Sequence, residues 1–120
     1  MAAKDVLGRA GEDRAVRYLI GCGYEILDRN WRCTQGEIDI VALIDGLLCV
    51  VEVKTRRSAA FGHPFEAIDA RKRRRLWQLA HAWCDAHPDQ SARRAVRLDA
   101  IGIVGAQPAV ATLEHLKDIS

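Results

Sequence analysis

The stretch Gly36–Arg57, GEIDIVALIDGLLCVVEVKTRR, decides the fold. It reads as two apolar strands, Glu37–Ile44 and Leu47–Thr55, joined at Asp45-Gly46. Asp-Gly is a strong two-residue hairpin signal, because a type I′ turn needs positive φ at both central positions. A turn centred there sets Ile44 opposite Leu47, Val41 opposite Val50, Asp39 opposite Glu52 and Glu37 opposite Lys54. Strand alternation then divides the side chains. Glu37, Asp39, Val41, Leu43, Leu48, Val50, Glu52 and Lys54 share one face, and Ile38, Ile40, Ala42, Ile44, Leu47, Cys49, Val51 and Val53 share the other. Both faces are mostly apolar, so both need covering.

Counted back from the turn, Asp39 and Glu52 form a non-hydrogen-bonded pair, with Cα atoms about 4.5 Å apart. Like charges directly opposite on a half-buried sheet are destabilising. One carboxyl can keep its proton, cations can neutralise both, or the pair can hold a divalent metal, which hard carboxylate oxygens suit. Two readings therefore stand. One is a structural network, with Glu37 on Lys54 and Asp39 on an arginine from elsewhere. The other is a magnesium site with Lys54 beside it and Glu37 at its rim.

Upstream, Asp5–Ile20 has helical periodicity, with Asp5 as a cap and Leu7, Gly8, Gly11, Ala15 and Leu19 at helical spacing. The glycines of Gly21–Tyr24 end it. Gly8, Glu12, Ala15 and Leu19 fall on one stripe, so Glu12 sits on the face expected to pack on the sheet. A carboxylate there needs a partner. The partner is either an arginine or backbone amide, or the same metal site reached from the helix. Gly8 and Gly11 would let the helix come close to the sheet.

Tyr24–Arg32 suits a strand, and residues 33–36 a loop. Ser58–Pro64 reads as a loop, and Glu66–His87 as a second helix with Ile68, Leu76, Leu79, Ala80 and Trp83 on its apolar side. Pro88 cannot continue it. Ala95–Gly105 is a further strand, and the last ten residues are a short edge strand or a tail. The order α-β-β-β-α-β-β is a single α/β domain: a mixed β-sheet with a helix on each side, or with both on one.

The 120 residues, 49% hydrophobic and 28% charged, fit one globular domain with a real core. A net charge of +2 is too mild to point to nucleic acid by itself, but Arg71–Arg75 (RKRRR) is a local basic block. It spans more than one helical turn, so its members cannot all point the same way. It is either a solvated face or a phosphate-contacting surface, helped by Arg56, Arg57 and Arg32. Trp83 reads as core, and Trp31 is the least determined of the three tryptophans. Cys22, Cys33, Cys49 and Cys84 form no CxxC pair and, with His81 and His87, no zinc spacing. Free thiols, no signal-peptide run and no apolar stretch of transmembrane length make a cytoplasmic protein with no membrane association the expectation.

A divalent ion between carboxylates polarises a phosphoryl oxygen and lowers the pKa of a bound water. Lys54 beside it would stabilise transition-state charge or help position the water. That chemistry fits phosphodiester hydrolysis.

Asp39, twelve residues, then Glu52-Val53-Lys54 resembles the PD-(D/E)XK nuclease signature, with Ile38 where a proline usually stands. GRAGEDRAVRYL, GYEILDRNWR, GEIDIVA, VVEVKTR, FGHPFEAI, the spaced Lys72 and Leu76, and RLDAIGI are together similar to the YraN-like family of small bacterial proteins, over nearly the whole chain. The resemblance implies a restriction-endonuclease-like fold, similar to archaeal Holliday-junction resolvases. It implies Mg²⁺ or Mn²⁺ held by Asp39, Glu52 and the Val53 carbonyl, with Lys54 as the catalytic lysine and Glu12 as the acidic residue of the first helix. Nucleic acid, DNA before RNA and branched or structured DNA in particular, is the expected partner. It would be contacted by Arg32, Arg56, Arg57, Arg71 and Lys72, and a homodimer is expected by analogy with the resolvases. The alternative is a non-catalytic nucleic-acid-binding or protein-interaction module on the same scaffold.

Overall fold

A computed structural model of the chain describes residues 3–120, with side chains from residue 6 onward. Helix α1 (Ala3–Gly21) leads into strands β1 (Glu25–Cys33), β2 (Gly36–Ile44) and β3 (Leu47–Arg56). After a 3-10 turn at Pro64–Ala67 come α2 (Ala70–Ala86), the short α3 (Pro88–Ser91), β4 (Val96–Val104) and β5 (Thr112–Leu116). The sheet runs in chain order, β1-β2-β3-β4-β5, antiparallel except for the parallel β3–β4 pair that the α2 crossover makes necessary. This is the expected mixed sheet and element order, with β5 a true strand rather than a tail.

The helices take opposite faces. Ala15 and Leu19 of α1 pack on Ile40, Ala42, Cys49, Val51, Val53, Ile101 and Ile103. Leu76, Leu79, Ala80 and Trp83 of α2 pack on Val41, Leu48, Val50 and Leu98. Trp83 is buried, Trp31 is partly buried against the same cluster, and Cys49 packs in the other. Among the described residues the cysteines are free, and no helix is long and apolar enough to cross a membrane.

Four expectations change in detail. Helix α1 starts at Ala3, so Asp5 lies within it rather than capping it; the Asp5 side chain is outside the described ones. The second helix does not start at Glu66. Asp69 caps α2 by accepting the Lys72 N–H at 2.9 Å, and this break separates α2 from the 3-10 turn before it. At its other end, Pro88 stops α2 as expected but opens the extra turn α3, since proline suits a first helical position. Lastly, Ile38 belongs to the α2-side cluster, not the α1 side. Its β1 partner Trp31 follows Asn30, whose φ of 52° breaks the alternation of β1, and the pair Trp31–Ile38 turns over together.

Gly11, not Gly8, sets the approach of α1 to the sheet. A Cβ on Gly11 would collide with the Thr55 side chain of β3, whereas one on Gly8 meets nothing within 4 Å. Gly11→Ala is therefore expected to destabilise the fold by about 1–3 kcal/mol, the usual range for overpacking. Gly8→Ala should be neutral or stabilising, and urea denaturation of the two variants separates them.

Candidate metal centre and basic groove

The hairpin register is as expected from Ile44–Leu47 to Ile40–Val51, and there the β2–β3 ladder ends. Continued, it would give the Val53 N–H to the backbone of Ile38. That N–H instead donates to Asp39 Oδ2 at 2.8 Å. A side chain has taken the place of a ladder partner, so β2 and β3 part and a cleft of about 360 Å³ opens. Asp39, Glu52, Val53, Lys54, Lys72 and Arg75 are among the residues lining it.

Asp39 and Glu52 both line this cleft, close enough for each to act on the other's ionisation. Burial, then the hydrogen bond and charge of Glu52, push the Asp39 carboxyl up to about 9, against the opposing Val53 N–H. Burial also works to raise Glu52, but the hydrogen bond from Asp39 and the ammonium groups of Lys72 and Lys54 outweigh it and hold Glu52 below its ordinary value. The two groups are thus pushed apart: Asp39 toward its protonated form and Glu52 toward its ionised form. Lys72 Nζ lies 2.9 Å from Glu52 Oε2, and Lys54 Nζ lies 4.0 Å from it. Of the three escapes from like-charge repulsion, the protein alone uses two: a retained proton and a neutralising cation.

Glu12 approaches from the α1 side. Its pKa is raised, first by burial and then by the charge of Glu37, and it acts on Asp39 and Glu52 through its charge. Glu12 Oε1 and Glu52 Oε2 are buried oxygens without a hydrogen bond; the Lys72 ion pair is close but not aligned as one. Such orphans are uncommon, because a buried unpaired acceptor is costly. Among the described residues no three or more His, Cys, Asp or Glu are grouped so that they could hold a metal ion. The donor set fits a hard cation taking two carboxylates and keeping several waters, as Mg²⁺ does, rather than an all-protein cage.

The remaining expected residues separate. Glu37 pairs with Arg32 at 2.7 Å, not with Lys54, because the two are register partners across β1–β2 while β3 has already left β2. Arg32 is exposed at the rim. Arg56 Nη1 donates to the Thr55 carbonyl at 3.2 Å. Arg57 falls on the opposite side, against Val6, Leu7 and Ala10 of α1. Of the basic block, Arg73 turns to the Ile68 carbonyl. Arg71, Lys72, Arg74 and Arg75 line a groove of about 650 Å³ on α2. Lys72 and Arg75 also line the acidic cleft, so groove and cleft are continuous. Arg75 was not among the expected contacts. Its spacing of three from Lys72 on one helix was the signal that places both on one face.

A second buried charge, Asp99 of β4, has no part in the cleft. It is fully buried and accepts from Arg97 Nε and Nη2 at 2.8 and 2.9 Å. The Asp118 N–H donates to it at 3.1 Å, and His115 Nε2 pairs with it at 2.8 Å. Sequence reading took Asp99 for an ordinary strand residue. Arg97, two residues away on the same strand, was visible from spacing; His115 and Asp118, from β5 and the chain end, were not.

Comparison with known proteins matches residues 11–103 to the model of a family described as "Uncharacterised protein family UPF0102". A UPF0102 protein of Paenarthrobacter aurescens (strain TC1) is 48% identical over 119 residues, covering 99% of this chain and 97% of the relative. One from Clavibacter michiganensis subsp. michiganensis (strain NCPPB 382) is 48% identical over 113 residues, covering 92% and 94%.

Proposed function

For this chain, which belongs to the UPF0102 (YraN-like) family of the PD-(D/E)XK nuclease-like superfamily, we propose divalent-metal-dependent hydrolysis of phosphodiester bonds in nucleic acid, DNA foremost. The carrying observation is the pair of carboxylates Asp39 and Glu52 lining one cleft, with two lysines beside Glu52 and a basic groove continuous with it. Asp39 and Glu52, with the Val53 backbone, would hold Mg²⁺ or Mn²⁺, which when bound supplies Lewis-acid polarisation and a more acidic water. Asp39 would bind it as the carboxylate, its proton passing to solvent. Lys54, tethered beside Glu52, meets charge developing on the phosphoryl oxygens. Arg71, Arg74 and Arg75 carry the strand to the cleft by phosphate contacts, which position without reading sequence. Glu12, whose Oε1 is buried without a hydrogen bond and whose charge acts on Asp39, would accept a hydrogen bond from a water of the site.

The second reading, binding without turnover, draws on the groove itself, which is roomier than the cleft. A panel of linear, branched and single-stranded DNA and RNA, incubated with purified protein and Mg²⁺ or Mn²⁺, separates the two. Cleavage is expected to need the metal and to fall at least about a hundredfold in Glu52→Ala, the scale of losing one transition-state stabiliser. Cleavage undiminished in both Asp39→Ala and Glu52→Ala would show that the site is elsewhere. Salt-sensitive binding with no cutting under any metal would favour the binding module.

A further inference from the structure

Lys72 stands where the acidic cleft and the basic groove join, and it is committed to the acid. Its ammonium is 2.9 Å from Glu52 Oε2, nearer than Lys54 at 4.0 Å. That oxygen is buried, yet the contact lacks hydrogen-bond alignment, so charge rather than a directional bond holds the lysine there. The Lys72 backbone is fixed by the Asp69 cap, but its side chain is one-third exposed on a flexible stem. The first turn of α2 has no acidic residue, although Arg71 and Lys72 lie in it. Positive charge is unfavourable at a helix N-terminus. Apart from the Asp69 cap, the helix end gives no reason for these cations, and for Lys72 the Glu52 carboxylate supplies one.

We propose that Lys72 is an exchangeable counter-ion. It occupies Glu52 while the acid pair is without a divalent cation, and it moves to a nucleic-acid phosphate in the groove when the cation takes Glu52. This inference rests on the nuclease reading above and adds a coupling to it. Metal and nucleic acid bind cooperatively because each releases Lys72 for the other. Such coupling is reciprocal, so each ligand raises the affinity for the other by the same factor. The retained stem carries the ammonium from one concavity to the other without movement of the helix.

Calorimetric titration of Mn²⁺ into wild type and Lys72→Met, with and without a short DNA duplex, tests the exchange. Removing the competing charge is expected to tighten Mn²⁺ binding about tenfold without DNA. Direct metal–phosphate contact is common to both proteins, so the factor by which DNA tightens Mn²⁺ binding should fall several-fold in the variant. Lys72→Arg should behave nearly as wild type, and Lys72→Gln serves if the methionine variant does not fold. If Lys72 only keeps Glu52 ionised, its removal lets Glu52 take a proton and Mn²⁺ binding weakens. Weakened or unchanged Mn²⁺ affinity, in a wild type that binds both ligands, overturns the exchange and leaves the nuclease reading standing. A wild type that binds neither Mn²⁺ nor DNA overturns both.

Discussion

Asp99→Ala is expected to lower folding stability by about 3–5 kcal/mol, the cost of breaking a buried ion pair from one side. Asp99 is fully buried, and Arg97 grips it with two hydrogen bonds. Arg97 also donates to the Tyr24 hydroxyl at 3.0 Å, and His115 Nδ1 lies 3.0 Å from the Tyr18 hydroxyl. The one carboxylate thus ties β5 and the chain end to α1 and the start of β1. Its removal leaves a partly buried guanidinium and a buried imidazole without their carboxylate partner. Burial works to raise the Asp99 pKa, but the bonds from His115 and Arg97 outweigh it and hold it down to about 2, against an ordinary 3.8. A carboxyl with a depressed folded-state pKa stabilises above its unfolded value and stops doing so as pH falls through the folded one. Wild type should lose this contribution between about pH 4 and pH 2, and Asp99→Ala should show no such segment. Urea unfolding across that range measures both effects. Hydrogen exchange should show Thr112–Leu116 opening first in the variant, and an unchanged β5 would contradict the tie.

Asp39→Asn is expected to separate stability from activity. Asp39 is held protonated up to about 9 in the folded chain, against an ordinary 3.8. For an acid raised on folding, the native state binds more protons than the unfolded state between those values. Stability therefore falls as pH rises from about 4 to about 9. Asparagine keeps an oxygen for the Val53 N–H and an amide donor for Glu52, and it has no proton to lose. The variant should gain on the order of a few kcal/mol over wild type at pH 8, since each pKa unit is worth about 1.4 kcal/mol. It should differ little at pH 4. If the cleft holds a divalent ion, the same variant should lose Mn²⁺ affinity and at least about a hundredfold in cleavage. Thermal melts at the two pH values, set beside Mn²⁺ titration, give both readouts. A variant less stable than wild type at pH 8 would mean that Asp39 is not the proton carrier.

Much of this arrangement was legible in the residues. Asp45-Gly46 fixes the hairpin register by turn geometry alone as far as Ile40–Val51, and Asp39 and Glu52, the next pair, meet in the cleft where the strands part. The helical stripe of α1 put Glu12 toward the sheet, where it lies. The partner of Glu37 was legible only in part, since its nearest cation by hairpin register, Lys54, is on a strand that has already left. The split of the basic block was predictable in principle, because five consecutive helical residues must diverge. Which of them turned inward depended on the Ile68 carbonyl exposed by the break before α2.

Local rules, then, determine the elements, the turn, the alternation and the meeting of the two acids, because each depends on neighbours a few residues apart or on one tight hairpin. Only the tertiary structure decides that the Asp39 carboxyl is raised, that Lys72 lies nearer to Glu52 than Lys54 does, and that Asp99 anchors the chain end. Lys72 follows Glu52 by twenty residues, and the Asp39 carboxyl is raised first by burial in a cleft that α2 helps to line. Such electrostatics depend on which distant groups share a low-dielectric space, and spacing along the chain does not carry that information.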